Sequence, residues 1–350
     1  MRCLARCKTI SFCLWVDANG LDMLIFNMLC IVLCLLPSVN AYSYIKGETP
    51  TEAPCPGYYC GRIRQDNGNW SSCQSCPRGY RTNESSSCAL CDSEPTFYDG
   101  MYLGFMAMLS LLMHWYCIDR HAMSGRFTAG ILVQHVCALA ESVLAAVGTL
   151  LLTEPVGAFR VTSCRVTSLA DWYTVVYNPT PNYEQTLSCT QEAVFPLYSM
   201  VFLYYTLSLV AMVTVRPWLA VRYLPGRGSR AVFTALYFFP TLVLVHAVFA
   251  GILYTIFPYL VMVVSVISVA VHFACQLNQQ MSYLLRSTVS ELRNTVIVLG
   301  HWLLHAYGII AVTQLTRPLL HSLMLLLVPF PTIFYIVTVR FTDPTRTGST

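Results

Sequence analysis

The sequence predicts an all-α polytopic membrane protein of about seven transmembrane helices, preceded by a small disulfide-rich lumenal domain. Three observations carry this expectation. Of 350 residues, 55% are hydrophobic and only 11% charged, well under the share of charge in a soluble domain. Six cysteines crowd into residues 55–91 with the spacing C-x4-C-x12-C-x2-C-x11-C-x2-C. Beyond them, apolar stretches long enough to cross about 30 Å of hydrocarbon alternate with polar turns. The formal charge of +4 is small and its arginines lie scattered between apolar runs, so no nucleic acid is expected as a partner.

Residues 1–41 read as a signal peptide or an uncleaved signal anchor. Arg2, Arg6 and Lys8 supply a basic start, residues 24–36 an apolar run, and Val39 and Ala41 the small residues for a cut after Ala41. The shortness of the run favours the peptide; Asp17 and Asp22 in the long leading segment favour the anchor. Either way residues 42–97, the cysteine-rich domain, lie across the membrane.

Clustered cysteines serve either disulfides in an oxidising compartment or zinc in a reducing one. Asn69-Trp70-Ser71 and Asn83-Glu84-Ser85 are the chain's two glycosylation sequons, and both fall among the cysteines. The 11-residue gap between Cys76 and Cys88 is also shorter than the roughly 15 to 20 of a zinc ribbon. Cys55, Cys60, Cys73, Cys76, Cys88 and Cys91 are therefore expected as disulfides of open connectivity, with Asn69 and Asn83 glycosylated. A domain this small buries little apolar surface, which is why it needs covalent staples.

The transmembrane domain is expected over residues 98–339. Spans are read at 98–118, 128–152 and 193–215; the 45 apolar residues 231–275 are split into two at Gly251 and Pro258; two more follow at 295–314 and 319–339. A lumenal loop, 153–192, holds Cys164 and Cys189, expected to pair with each other. Its Asp171-Trp172-Tyr173 and Tyr177 read as rings at headgroup level. The loop 216–230 carries four arginines and no acid. Placing it, the loops 119–127 and 276–294 and the tail 340–350 in the cytosol gives ten Lys/Arg there against three in the lumenal loops after the first span, as the positive-inside tendency requires.

Ionisable residues inside spans are functional candidates because each is costly when charged. Those singled out are His114, His135, Glu141, His246, His272, His301 and His305. In His301-Trp302-Leu303-Leu304-His305-Ala306-Tyr307-Gly308 the two histidines and Gly308 share one stripe, with Gly308 admitting a neighbouring helix. Two imidazoles four apart can bind a metal with Glu141 nearby, as in seven-span zinc hydrolases, but Asp119, Asp171 and Asp343 all lie outside the spans. Interhelical hydrogen bonding by neutral histidines and a protonated Glu141 is the expectation. Phosphate-binding loops, Gly-x-Ser-x-Gly and His-Glu-x-x-His are absent from the sequence, so neither enzyme activity nor a cofactor is expected. Asp119-Arg120 after the first span and Asn178-Pro179 in a loop depart from the pattern of G-protein-coupled receptors.

Several motifs, in order, carry a family resemblance: Cys55-Pro56-Gly57-Tyr58-Tyr59-Cys60-Gly61, Cys76-Pro77-Arg78-Gly79, residues 102–109, Asp171-Trp172-Tyr173, Ala235-Leu236-Tyr237-Phe238-Phe239-Pro240 and residues 301–308. Together, over about residues 54–345, they resemble the Jun amino-terminal-kinase-associated membrane protein family. The resemblance implies a non-enzymatic endoplasmic-reticulum protein that associates with the stress kinase and brings proteasomes and ubiquitin ligases to the membrane. Residence there rests on the resemblance, because the tail has no retention signal of the Lys-Asp-Glu-Leu type. The competing expectations are a ligand receptor sensing through the cysteine-rich domain and an intramembrane zinc hydrolase. Arg216-Pro217-Trp218-Leu219-Ala220-Val221 is similar to a kinase-docking peptide, and Trp218 between two arginines equally reads as a membrane anchor.

Overall fold

The computed structural model describes residues 54–65, 69–122, 128–177, 189–223, 228–276 and 278–342. The expected signal segment 1–41, residues 224–227 of the basic loop and the tail from 343 lie outside them. Two compact units meet in sequence between Phe257 and Pro258. Six helices among the described residues are long and apolar enough to cross a membrane.

The first unit opens with four short strands: β1 (Cys60–Gly61) antiparallel to β2 (Gln74–Ser75), and β3 (Tyr80–Thr82) antiparallel to β4 (Cys88–Leu90). Helices α1 (Phe97–Ala122), α2 (Ala129–Leu152) and α3 (Leu197–Tyr223) follow, then the first part of α4 (Gly228–Ala274). A reciprocal capping pair starts α1: Thr96 N–H donates to Asp99 Oδ2 at 2.7 Å and Asp99 N–H to Thr96 Oγ1 at 3.2 Å, satisfying two donors that the first turn leaves open. Thr128 does the same for α2 by accepting from Ile131 N–H. On α2 the buried residues Gln134, Ala138, Glu141, Ala145 and Thr149 recur every three or four positions, and on α3 Met200, Tyr204, Ser208, Met212, Arg216 and Ala220 recur every four, one helical stripe each.

Outside these stripes the helices keep their hydroxyls at home. Thr206, Thr214, Thr234, Thr241, Thr255 and Thr338 each donate to the carbonyl four residues earlier, so that these six O–H groups are satisfied within their own helices.

Two spans differ from expectation. The third continues eight residues past 215, carrying Arg216 and Pro217 inside α3; Pro217 has no N–H to give, yet the turns on either side stay helical. Residues 228–274, expected as two spans with a turn, form one helix of 47 residues, about 70 Å of rise and so more than two hydrocarbon thicknesses. Gly251 and Pro258 do not break it, although the boundary between the two units falls immediately before Pro258. At Gly251 the reason is packing: a Cβ there would lie 2.7 Å from Trp172 Cβ and 2.8 Å from Tyr173 Cε2, so the glycine lets the loop before α3 press on the helix.

The second unit contains the rest of α4, then α5 (Met281–Ser290), α6 (Leu292–Thr313), α7 (Pro318–Met324) and α8 (Phe330–Thr342). Val269, Phe273, Leu284, Val298, Ile336 and Val339 form its core, with Trp302 and Tyr335 against them. Trp302 donates its indole N–H to Thr332 Oγ1 at 2.9 Å. Gln314 in a left-handed conformation ends α6, and Pro318 opens α7, where a missing N–H costs nothing. As the stripe on α6 implies, Gly308 meets a neighbouring helix closely: a Cβ there would collide with Met262 Cγ and stand 2.9 Å from the Pro258 carbonyl oxygen.

The Met262 side chain can move, but the Pro258 carbonyl cannot. Gly308→Leu should therefore destabilise the purified chain by about 1–3 kcal/mol, read as a lower melting temperature in detergent, with Gly308→Ala falling between Leu and wild type.

Candidate functional site

The strands of the cysteine-rich cap are too short to hold one another unaided. Sulfur does so. Cys55–Cys73 and Cys76–Cys88 close within the cap, whereas Cys60–Cys189 and Cys91–Cys164 tie it to the loop between α2 and α3. Cys164 and Cys189 thus do not pair with each other, contrary to expectation, because the backbone carries each to a different cap cysteine. Ser163 N–H donates to the Ser93 carbonyl at 2.8 Å, setting Cys164 beside Cys91. The Gln191 side chain accepts from Cys76 N–H at 2.5 Å, holding Cys189 against the cap. The two tethers span 129 and 73 residues, each worth about 4–5 kcal/mol in the chain-entropy account. β1 runs flush against a sulfur pair: a Cβ on Gly61 would lie 2.8 Å from Cys88 Sγ and 2.9 Å from Cys76 Sγ.

Connectivity also constrains topology. Cys91 precedes α1 and Cys164 follows α2, so the bond between them returns the chain to its starting side after two helices. The free thiols of Cys117 and Cys137 lie inside helices and not in the cap.

A single carboxylate locks cap to loop. Asp171 Oδ1 accepts from Tyr59 O–H at 3.0 Å and from the Arg81 guanidinium at 2.9 Å. Its Oδ2 accepts from Thr167 N–H and Thr167 O–H, both at 2.8 Å, and from Ser168 N–H at 3.0 Å. Arg81 adds bonds to the Arg165 carbonyl at 2.6 Å and to Thr167 Oγ1 at 3.0 Å. Burial, and then the Asp171 charge, push the Tyr59 phenol well above its usual range, so it remains a donor. Asp171 and Trp172 are buried rather than set at a lipid interface as the sequence reading expects. The Trp172 ring packs on Tyr102, Tyr198 and Tyr254 at 5.7, 6.5 and 5.1 Å, and Tyr254 O–H donates to Asp99 Oδ1 at 2.7 Å. Asn69 and Asn83 lie at the exposed surface of the cap.

Among the helices of the same unit sits a charged node that the sequence reading misses. Arg216, 1% exposed, grips both oxygens of Glu141 through Nε and a terminal nitrogen. Its other terminal nitrogen donates to His114 Nδ1 at 2.7 Å. A guanidinium has no acceptor, so His114 Nδ1 accepts and its ring hydrogen sits on Nε2. Cys137 donates its S–H to Glu141 Oε1 at 3.0 Å. Glu141 therefore serves α3 through an ion pair, where a protonated carboxyl in an interhelical hydrogen bond was expected. Arg216 is equally withdrawn from the docking-peptide role: it is buried in a helix. Trp218, 66% exposed on that helix, keeps the character of an anchor.

In the second unit His305 Nδ1 bonds Ser265 Oγ at 2.9 Å, joining α6 to α4. His301 Nδ1 and His272 Nε2 are buried without a hydrogen-bond partner among the described residues. No group of three or more His, Cys, Asp or Glu among the described residues is placed to hold a metal ion.

The cap, the helices and the tethers between them define a multi-pass membrane protein with a disulfide-locked extramembrane domain. Residues 55–344 match the family described as JAMP, JNK1/MAPK8-associated membrane protein, and the chain belongs to that family. The relatives named JNK1/MAPK8-associated membrane protein are 43% identical over 302 residues in Mus musculus and 42% over 301 in Homo sapiens, each alignment covering 83% of this chain and 94% of the relative. A homolog from Caenorhabditis elegans is 31% identical over 279 residues, covering 79% of this chain and 85% of its own. No solved structure matches.

Two predictions follow from these contacts. Asp171→Asn places an amide N–H₂ among donors, and should cost about 2–3 kcal/mol, seen as faster limited proteolysis of the loop before α3 with all four disulfides intact. Arg216→Met alone strands Glu141 and should cost about 3–5 kcal/mol, whereas Arg216→Met with Glu141→Leu should recover most of that loss; thermal melts of the single and double variants in detergent measure both.

Proposed function

We propose that the chain is an endoplasmic-reticulum membrane adaptor in ER-associated degradation and the stress response, associating with a Jun amino-terminal kinase and recruiting proteasomes and ubiquitin ligases. It performs no catalysis of its own. The observation that carries the reading is family membership over residues 55–344, with relatives named for association with JNK1/MAPK8.

Orientation follows from chemistry. The cap holds four disulfides and so belongs in the oxidising lumen, with Asn69 and Asn83 exposed to the glycosylation machinery. The opposite end of the first unit carries exposed Arg222 and Arg230, a basic face suited to the cytosol. We keep the seven crossings and cytosolic carboxy terminus of the sequence reading, which require residues 228–274 to turn back within the membrane near Gly251 and Pro258 where the structure has one continuous helix. Recruitment then uses residues 221–230, where the exposed end of α3 begins, 276–294 and the tail.

Affinity capture of the full chain from mild detergent tests the adaptor reading. Kinase, proteasome and ligase subunits should be enriched over a multi-pass control; a secreted or lumenal ligand in their place refutes it. Orientation is read separately in microsomes. Glycosidase should shift wild type and leave Asn69→Gln/Asn83→Gln unmoved, and protease should remove a carboxy-terminal tag. Protection of that tag makes α4 a single crossing.

A further inference from the structure

A cavity of about 410 Å³ opens where the cap meets α2 and α3, lined by Arg78, Leu152, Ser199, Met200, Phe202 and Leu203 among others. We propose that it is a phospholipid site: the lipid phosphate sits on Arg78, which Ser199 Oγ holds in place, and its glycerol and first acyl carbons lie against Leu152, Met200, Phe202 and Leu203.

Depth is the first argument. Ser199 stands in the first turn of α3, and the cavity reaches down that helix to Thr206, about 10 Å of rise. A leaflet places its phosphate and glycerol over a similar thickness, since headgroups add about 5–7 Å outside each face of the hydrocarbon. The lining changes along the same line, from a guanidinium at the cap to mainly apolar side chains below, with Thr206 at the far end turning its hydroxyl back to the Phe202 carbonyl. Leu152, at the rim, is more than half exposed, giving a tail a way out along α2.

Arg78 is the second argument. Its guanidinium lies 5.3 Å from the centre of the Phe195 ring and donates to Ser199 Oγ at 3.2 Å. Ring and hydroxyl orient the fork, and no carboxylate forms an ion pair with it among the described residues. The neighbouring Glu192 accepts from Ser199 N–H at 2.8 Å and lies close enough for the Arg78 charge to act on its carboxyl, without closing to an ion pair. Further N–H donors of Arg78 remain for an anion, in the bidentate geometry that phosphate favours. The volume suits a headgroup with its glycerol rather than two whole tails, and falls at the lower end of ordinary ligand pockets.

The test uses the full chain in detergent, titrated with phosphatidylglycerol, with diacylglycerol of the same tails, and with inorganic phosphate, with bound species read by native mass spectrometry. One phosphatidylglycerol per chain should bind, and Arg78→Gln should weaken it roughly tenfold to the level of diacylglycerol. Leu203→Trp, which fills the apolar part, should weaken both lipids while leaving the melting temperature and the four disulfides unchanged. Inorganic phosphate should not displace the lipid. Unchanged phosphatidylglycerol binding in both variants overturns the proposal; so does displacement by inorganic phosphate, which would mark a site for a free anion. Should Arg78→Gln fail to fold, Leu203→Trp with the phosphate competition decides the matter.

Discussion

The first unit depends on Asp171. One buried carboxylate receives five hydrogen bonds, two from the cap through Tyr59 and Arg81 and three from its own loop through Thr167 and Ser168. A carboxylate in apolar surroundings is costly unless its lone pairs are met, and here they are met by segments far apart in sequence. With the loop so held, Trp172 falls among the tyrosines of α1, α3 and α4, and Tyr173 falls on Gly251. The two disulfide tethers confine the same segments to the same neighbourhood, but hydrogen bonds decide how they lie.

The helices meet polarity in two ways. Hydroxyls that face outward turn back on their own carbonyls and need no neighbour. The node of Arg216, Glu141, His114 and Cys137 instead spends polar side chains from α1, α2 and α3 on one another. An arrangement of this kind adds little net stability when compared with an apolar core of the same shape, but it penalises every packing in which one partner is left alone. It therefore sets register among three helices whose surrounding surfaces are interchangeable apolar side chains.

Hydropathy and cysteine spacing made the architecture legible: the cysteine-rich segment, the apolar helices and the close approach at Gly308 all leave local signatures. What stayed hidden depends on contacts distant in sequence. Pairing of Cys164 and Cys189 looked natural because they share a loop, yet Ser93 and Gln191 carry them to different partners. Arg216-Pro217 looked like a loop because arginine and proline commonly end a span, and only the oxygens of Glu141, 75 residues earlier, explain why α3 continues through them. Asp171-Trp172-Tyr173 was recognisable as a motif, but an exposed aromatic belt and a buried joint have the same composition. The expected turn in residues 231–275 is absent: glycine and proline there sit inside one continuous helix.

The order in which the sulfurs become available has its own consequence. Cys91 must wait for Cys164, 73 residues later, and Cys60 for Cys189, 129 residues later. At ordinary translation speeds of roughly 5–20 residues per second, these intervals last about 4–15 s and about 6–26 s. During that time the leading cysteines are without their final mates, while two hydrophobic segments pass into the bilayer. The closed cap is thus a record of history: a nascent chain earns its last two cross-links only after its first hairpin has been inserted correctly.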